Sequence, residues 1–308
     1  MNEKPILSIV TPTLGKFSDY WFEQLLKVQG HVQFVLVYPP GGTIKQIDDP
    51  RFKVLTSPYK GEVMQRFTGL LNASGEYVIA LDDDDFLHPD VIDIIIDYFK
   101  RFPESWVLRL KSLSIHYLNE ERIKQDWEKL PDMATIETCK KNRKDDVFAL
   151  LEIPIAPLDK KMNIKHVIWP FTKRTDQNGV HIENFNNKVW KNELVQQALP
   201  ELSVAMKLMG YFTWIPSWNL DRSLGLFVQA KSYEKDRVVG HWMPSPEQIR
   251  YISKESSING VRDHLGADAL LLKHFPQYGY FWNLFFAQVY YVPKMMAKMI
   301  ASNLFKKG

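Results

Sequence analysis

The stretch that decides the fold is YVIALDDDDFLHPD, which runs from Tyr77 to Asp90. Its first five residues are apolar, as expected for a strand that is buried on both faces of a sheet. Four adjacent aspartates, Asp82 to Asp85, follow directly, and their charges repel one another. Open α/β sheets bind ligands beyond the carboxyl ends of their strands. The stretch therefore predicts a buried strand that ends in a ligand site, where a cation would offset the repulsion.

The elements around this stretch alternate between strand and helix. Short β-branched runs predict the strands, and apolar residues at a helical spacing predict the helices. The predicted strands are Ile6–Thr11, Val32–Tyr38, Phe52–Thr56 and Tyr77–Leu81, and the predicted helices are Tyr20–Val28, Glu62–Ala73 and Pro89–Arg101. Alternation of this kind indicates an α/β fold with a mainly parallel central sheet flanked by helices.

The second half of the chain has a more mixed pattern. Trp106–Leu110 is consistent with a strand and Glu120–Trp127 with a helix. Further on, two helices are predicted on either side of Pro200, followed by a strand that ends at Pro216. These last three elements are Val189–Leu199, Glu201–Met209 and Tyr211–Ile215.

The overall composition excludes several functional classes. The 39 Lys and Arg residues nearly balance the 36 Asp and Glu residues and form no basic stripe, which argues against a nucleic-acid partner. Cys139 is the single cysteine and cannot form an internal disulfide. Because the amino terminus has no signal-peptide pattern, we expect a cytoplasmic protein. The motifs GxGxxG, GxxxxGK[ST], HExxH and GxSxG are absent.

The carboxy-terminal segment is unusually apolar. Residues 280–292 read YFWNLFFAQVYYV, and an amphipathic stretch with lysines on one face follows from Lys294 to Phe305. A helix of this kind can lie in a membrane interface, so residues 280–307 are a candidate peripheral contact with the inner face of a membrane. The alternative is a helix packed on the protein's own core or on a second subunit.

The four aspartates suggest a metal site. Residues two apart on an extended chain point the same way, so Asp82 and Asp84 share a face. Mg²⁺ or Mn²⁺ held by one or two carboxylates keeps positions for water and substrate phosphates. This chemistry favours a nucleotide diphosphate as the ligand. The alternative is a solvated acidic turn in which Asp85 caps the following helix.

Three segments together resemble the family 2 glycosyltransferases, which have the GT-A fold. They are SIVTPTLG from Ser8 to Gly15, the block from Lys60 to Asp90, and PELSVAMKLMGYFTWIP from Pro200 to Pro216. The resemblance implies a GT-A-like domain over residues 1–225, with a donor half to about residue 115 and an acceptor half after it. Residues 226–308 would form a helical carboxy-terminal extension.

The resemblance also implies roles for individual residues. Glu201 takes the position of the catalytic base, although Leu202 follows it where the family usually has aspartate. Asp84 would bind the metal, with Asp82 and His241 as further candidates. The implied donor-binding residues are Thr11, Pro12, Thr13, Tyr38, Gly61, Arg66, Asp82, Asp83 and Arg222. Tyr38 stands near the position of the family's base-contacting aspartate and could stack on the base instead.

The predicted function is a metal-dependent, inverting transfer of a sugar from a nucleotide-diphosphate donor to a hydroxyl of a glycan or lipid-linked acceptor, in surface polysaccharide or glycolipid synthesis. The alternative is a non-catalytic module of the same fold that docks on a membrane or a partner enzyme. A nucleotidyltransferase is disfavoured because no basic glycine-rich loop follows the first strand.

Overall fold

The computed structural model describes residues 4–140, 148–165, 180–211, 220–253 and 264–288. The predicted strand Tyr211–Ile215, apart from Tyr211 itself, and the amphipathic stretch Lys294–Phe305 lie outside these residues. The chain divides into two compact units that alternate along the sequence. Unit 1 comprises Met1–Pro154, Phe185–Thr213 and Arg237–Ser257, and unit 2 comprises Ile155–Asn184, Trp214–Asp236 and Ile258–Gly308.

Unit 1 contains all twelve strands that the described residues form. In chain order they are β1 (Leu7–Pro12), β2 (Val32–Tyr38), β3 (Phe52–Thr56), β4 (Tyr77–Ala80), β5 (Phe86–Leu87), β6 (Val107–Arg109), β7 (Ser112–His116), β8 (Thr138–Cys139), β9 (Leu150–Pro154), β10 (Lys188–Lys191), β11 (Val238–Trp242) and β12 (Ile249–Ser253). Nine of them form one sheet in the order β3-β2-β1-β4-β10-β6-β11-β9-β8. The other three form a small sheet in the order β5-β12-β7.

The large sheet is mainly parallel, which confirms the predicted fold class. Strands β3, β2, β1 and β4 are parallel neighbours, and β6 is parallel to β11. Strand β10 runs antiparallel to both β4 and β6, so those two strands point the same way. The carboxyl ends of β1, β2, β4, β6 and β11 therefore lie along one edge of the sheet, where α/β proteins bind ligands.

The described helices are α1 (Asp19–Leu26), α2 (Glu62–Leu71), α3 (Val91–Arg101), α4 (Glu120–Lys124), α5 (Asn192–Tyr211), α6 (Leu220–Lys231) and α7 (Leu265–His274). Helices α1, α2 and α3 of unit 1 cover both faces of this sheet. Helices α1 and α3 bury Trp21 and Ile95 in the core formed with Ile79 of β4. On the opposite face, α2 approaches so closely that a Cβ added to Gly69 would lie 2.4 Å from Val10 Cγ1.

The prediction of two helices around Pro200 is wrong, because residues Asn192–Tyr211 form the single helix α5 with Pro200 inside it. A proline normally interrupts a helix by removing one backbone donor. Here packing on α2 outweighs that local preference, and Gln196 Nε2 donates to the carbonyl oxygen of Leu70 at 2.8 Å. The predicted helical start at Val189 is also wrong, since this buried residue belongs to β10.

Residues 238–253, which we predicted within the extension, contain β11 and β12 of unit 1. Strand β11 lies between β6 and β9. Its approach to β6 requires a glycine, because a Cβ on Gly240 would lie 1.8 Å from the carbonyl oxygen of Val107. A pairing between positions so far apart in sequence leaves no local signal.

Unit 2 contains α6, α7 and a helical segment at residues 279–288. Phe227 of α6 packs edge to face on Phe275, with ring centroids 4.9 Å apart. Gln229 of α6 is fully buried, and its side chain donates to the carbonyl of Ile182 and accepts from the amide of Ala156. No helix among the described residues combines the length and apolar character that crossing a membrane requires.

Candidate active site

A cavity of about 1150 Å³ lies at the carboxyl edge of β1, β2 and β4. The loops after these strands and the start of α2 form its wall. It is lined by Pro12, Thr13, Leu14, Lys16, Phe17, Ser18, Tyr20, Trp21, Pro39, Pro40, Gly41, Gly42, Lys60, Gly61, Glu62, Gln65, Asp82, Asp83, Asp84, Phe86, Ile123 and Ile252. The structure thus brings together six of the predicted site residues, namely Pro12, Thr13, Gly61, Asp82, Asp83 and Asp84.

The loop after β1 is tied to the acidic run. Thr13 Oγ1 donates to Asp83 Oδ2 at 2.7 Å and accepts from the amide of Gly15 at 2.9 Å. Gly15 has a φ of +76°, a conformation that glycine adopts without steric cost. The hydrogen bond from Thr13 therefore fixes the Asp83 carboxylate in the wall of the cavity.

Gln65 of α2 joins the ends of the first two strands, a role that the sequence did not reveal. Its Nε2 donates to the carbonyl oxygens of Thr13 at 2.9 Å and Val37 at 2.6 Å, and the side chain is buried. In the sequence it is one polar position in an amphipathic helix. Only the tertiary packing shows that it faces the sheet.

Arg66 forms ion pairs with two carboxylates. Its guanidinium contacts Asp82 and also Glu62, one turn earlier in α2, at 2.9 Å. Burial raises the pKa of Asp82, and the positive charge of Arg66 opposes that rise. Asp82 is thus engaged by a cation of the protein itself, and Arg66 is engaged by two carboxylates.

Asp85 turns away from the cavity and anchors the acidic run. Its backbone carbonyl accepts from Trp21 Nε1 at 2.8 Å, and its Oδ1 accepts from the amide of Ile252 at 3.2 Å. Burial raises the pKa of the Asp85 carboxyl to about 8, and the charges of Asp82 and Asp84 add to the rise. These contacts support Asp84, which lines the cavity.

Two predicted donor-binding residues lie beneath the cavity wall. Thr11 and Tyr38 are fully buried. The ring of Tyr38 lies under Gly15, where an added Cβ would be 3.0 Å from Tyr38 Cε1. The predicted stacking of Tyr38 on a nucleotide base does not fit this geometry. Buried aromatic and β-branched residues are instead what a central parallel strand requires.

His241 is not placed to bind the predicted metal. It lies in β11, which β10 and β6 separate from β4. Its Nδ1 is 2.9 Å from Tyr98 Oη, and its ring packs on Phe102 with centroids 4.4 Å apart. Burial lowers the pKa of His241 to about 4, and the positive charge of Arg101 contributes. A neutral imidazole packed against α3 is therefore a core residue of unit 1.

Arg222 and Glu201 do not line the cavity. Arg222 belongs to unit 2, where it pairs with Glu183 at 2.8 Å and lies 3.6 Å from Asp268. Glu201 is exposed midway along α5 of unit 1. The prediction that it sits in the first turn of a helix is wrong, so the helix dipole gives it no special stabilisation.

The chemistry of the acidic run fits a hard divalent ion. The described residues contain no group of three His, Cys, Asp or Glu side chains that could enclose a metal. Mg²⁺ and Mn²⁺ are nonetheless commonly bound by one or two carboxylates, with phosphates and water as the remaining ligands. Asp84, with Asp82 next to it, offers such a carboxylate set in the cavity.

The fold and the cavity define a class: GT-A-like proteins, in which a parallel sheet carries an acidic loop at its carboxyl edge. Residues 43–146, about a third of the chain, match the family described as Glycosyl transferase family 2. Residues 43–146 are therefore similar to a family 2 glycosyltransferase domain. The match includes Gly61, Arg66 and the four aspartates, and it excludes both Thr13 and Glu201.

Solved structures similar to this chain include three of S. aureus TarS. Residues 1–349 of TarS in complex with UDP-GlcNAc align with a TM-score of 0.48 and 14% identity, over 88% of this chain and 67% of that one. The same fragment described without a ligand gives 0.45 and 12%, over 88% and 64%. A further TarS structure gives 0.44 and 11%, over 88% and 43%. The chain thus spans between 43% and 67% of their lengths. No curated protein matches the sequence.

Proposed function

We propose that this chain is a glycosyltransferase that transfers a sugar, with inversion, from a nucleotide-diphosphate donor to a hydroxyl of a glycan or lipid-linked acceptor, in surface polysaccharide or glycolipid synthesis. The observation that carries the proposal is the placement of Asp84 in the cavity at the carboxyl edge of β4. The family match over residues 43–146 supports the same chemistry.

The donor would lie in the cavity with its diphosphate near Asp84. Asp84, with Asp82, would hold Mg²⁺ or Mn²⁺. When bound, such an ion neutralises the charge that develops on the leaving diphosphate. Arg66 holds Asp82 in position, and the Thr13 hydroxyl does the same for Asp83. Both contacts orient the carboxylates before a ligand arrives, which reduces the cost of ordering them on binding.

The base contact would come from the loop after β2. Pro39, Pro40, Gly41 and Gly42 line the cavity where the family usually has an aspartate. Gly41 is exposed and neither glycine carries a side chain, so the backbone groups of this loop can be approached from the cavity. We assign nucleotide contact to these backbone groups in place of Tyr38.

Glu201 lies outside the donor cavity, and its proposed role as the base is supported by the resemblance of the segment Pro200–Pro216 to the family. A carboxylate can remove the proton of an acceptor hydroxyl as that hydroxyl attacks. Glu201→Gln keeps the size of the side chain and removes this ability. The variant should bind donor as the wild type does and hydrolyse or transfer the sugar poorly. Full transfer by Glu201→Gln would exclude Glu201 as the base.

The experiment that tests the donor site is a thermal-shift and hydrolysis screen against nucleotide sugars, each with and without Mn²⁺ or Mg²⁺. We expect stabilisation by one donor only when metal is present, because ligands that bind the folded state raise its stability. Asp84→Asn should abolish both the shift and hydrolysis. Asp97→Asn removes an exposed carboxylate of α3 and should change neither.

Two outcomes would contradict the proposal. If Asp84→Asn and Asp97→Asn responded alike, the acidic run would not hold the donor. If no nucleotide sugar stabilised well-folded protein with either metal, the non-catalytic module of the same fold would become the better explanation.

A further inference from the structure

A second cluster of charge lies on the same edge of the sheet, at the ends of β6 and β11. Arg109 and Trp242 are the last residues of these strands and are register partners. The Arg109 guanidinium carbon lies 3.8 Å from the centroid of the Trp242 ring. Lys111 Nζ lies 5.7 Å from the same ring. We call Arg109, Lys111 and Trp242 the basic cluster.

Within the described residues, the cations of the basic cluster have no carboxylate partner, and Tyr251 is the group that interacts electrostatically with Arg109. Arg109 is partly buried, and burial lowers its pKa. Among the residues that the structure describes, neither the Arg109 guanidinium nor Lys111 Nζ forms a hydrogen bond or an ion pair with a carboxylate. A cation that is partly removed from water without a partner is destabilising, so a compensating anion is expected.

In two other arginine–tryptophan stacks of unit 1, the guanidinium has acceptors from the protein in addition to the ring. Arg250 lies 3.9 Å from the ring of Trp127, and it donates to Glu247 Oε1 at 3.1 Å and to three backbone carbonyls. Arg237 lies 4.5 Å from the ring of Trp106, and its Nη2 is 3.9 Å from Glu104 Oε2. In both stacks the protein supplies acceptors to the guanidinium. The Arg109 stack has a similar ring distance, and within the described part of the chain its guanidinium N–H groups donate to no acceptor.

We propose that the basic cluster binds an anionic group, a phosphate or a carboxylate, that is carried by the acceptor. The assignment to the acceptor rests on the proposed function. None of the three residues lines the donor cavity. Strand β10 separates β6 from β4, so the cluster is two strand spacings, about 10 Å, from the strand that carries Asp84. A planar guanidinium fixed on an aromatic ring is well suited to bidentate binding of either anion.

Alternation along β11 places the cluster on the face opposite His241. Neighbouring residues of a strand point to opposite faces. His241 packs on α3, so Trp242 points to the other side of the sheet. The ring therefore serves as a platform for the two cations, and its own role is to orient them.

The test uses inorganic phosphate as the probe and isothermal titration calorimetry of the full chain at low ionic strength, without donor. Arg109→Gln should weaken phosphate binding by at least about tenfold, the loss expected for charge-assisted hydrogen bonds. Lys111→Gln should weaken it less, since Lys111 Nζ lies farther from the ring. Trp242→Phe should keep most of the affinity, and Trp242→Leu should lose it. Arg237→Gln, which disrupts a stack with its own carboxylate, is the matched control and should bind like the wild type.

Asp84→Asn separates this inference from the proposed function. It should bind phosphate normally and fail to respond to nucleotide sugars. Loss of phosphate binding in Asp84→Asn would place the anion in the donor cavity and overturn the inference. Equal affinities of the wild type and Arg109→Gln, or no phosphate binding by the wild type, would also overturn it. Phosphate binding that depends on Arg109, together with no response to any nucleotide sugar, would refute the proposed function and leave the anion site established.

A second arm of the experiment identifies the anion. Glycerol, glycerate and glycerol 3-phosphate share a hydroxyl-bearing carbon chain and differ in charge. Tighter binding of glycerol 3-phosphate, lost in Arg109→Gln, would assign a phosphate, and the same result for glycerate would assign a carboxylate. Glycerol binding as tightly as both would overturn the proposal.

Discussion

Protonation of His241 should destabilise the folded protein, because the ring is 5% exposed and its neighbours favour the neutral form. Nδ1 faces the Tyr98 hydroxyl, which also contacts Ser105 Oγ at 3.0 Å. Arg101, on the same helix as Tyr98, repels a positive charge on the ring. In the part of the chain that the structure describes, no carboxylate forms an ion pair with His241.

The magnitude follows from the shift of the pKa from 6.5 to about 4. Below pH 6.5 the unfolded chain binds a proton at this position and the folded chain does not. Stability contributed by neutral His241 is therefore complete above pH 6.5 and is lost as the pH falls toward 4. At 1.36 kcal/mol per pKa unit, the full loss is about 3 kcal/mol.

The assay compares wild type, His241→Asn and His31→Asn in urea unfolding between pH 7.5 and 4.5. His241→Asn keeps an acceptor for Tyr98 and cannot be protonated, so its free energy of unfolding should fall by about 2 to 3 kcal/mol less than that of the wild type. His31 is exposed, and His31→Asn should follow the wild type. The difference between variants cancels opposing contributions from Asp85 and His88, whose pKa values are also shifted by burial.

A titration of the histidine signals by NMR measures the pKa of His241 in the folded protein directly. The signal missing in His241→Asn should stay unchanged from pH 8 to 5 and move only near pH 4. A midpoint near 6.5 for that signal, or unfolding curves of wild type and His241→Asn that run parallel over pH, would refute the reasoning.

Two further substitutions test contacts that the fold requires. Gln65→Met should lower the free energy of unfolding by about 2 kcal/mol and weaken binding of the nucleotide sugar, because the Thr13 carbonyl loses its hydrogen-bond donor. Gln29→Met, at an exposed position, is the control. Equal stability of the two variants in urea unfolding would contradict the role given to Gln65. Gly240→Ala should cost about 3 kcal/mol or more, because its Cβ would overlap the Val107 carbonyl oxygen, whereas Gly41→Ala, with open space and a φ of +76°, should cost about 1 kcal/mol. A thermal melt that ranks these two alanine variants in the reverse order would show that β11 and β6 can separate at little cost.

The donor side of the fold could be predicted because its signals are local. An apolar run followed by charge, as from Tyr77 to Asp85, places a strand and its carboxyl end within nine neighbouring residues. The gathering of Thr13, Gly61 and Asp84 at one cavity follows from the rule that parallel strands present their carboxyl ends at one edge. Glycines and prolines in the intervening loops mark where the strands stop.

The errors arise where contacts distant in sequence decide the structure. His241 and Trp242 are adjacent in the chain, yet strand alternation sends one into the core and the other to the opposite face. Pro200 is tolerated inside α5 because that helix packs on α2, which no local pattern records. Arg222 stands beside acidic residues of unit 2, whose partners come from segments far away in the sequence.

The edge of the sheet carries charges of opposite sign in order along its strands. The aspartates follow β4, and Arg109 ends β6, with antiparallel β10 between them. Because β10 runs the other way, its start lies at this edge, and Lys188, the register partner of Arg109, stands between the anionic region and the cationic region. A metal-bound diphosphate suits the first region and an anionic acceptor suits the second. The anionic group of the acceptor would then be held about two strand spacings, roughly 10 Å, from the strand that carries Asp84, and the acceptor would extend from there toward the donor. Salt should therefore weaken acceptor binding at the half-buried basic cluster more than donor binding through a metal-held diphosphate. The two affinities measured at increasing NaCl concentration provide the comparison.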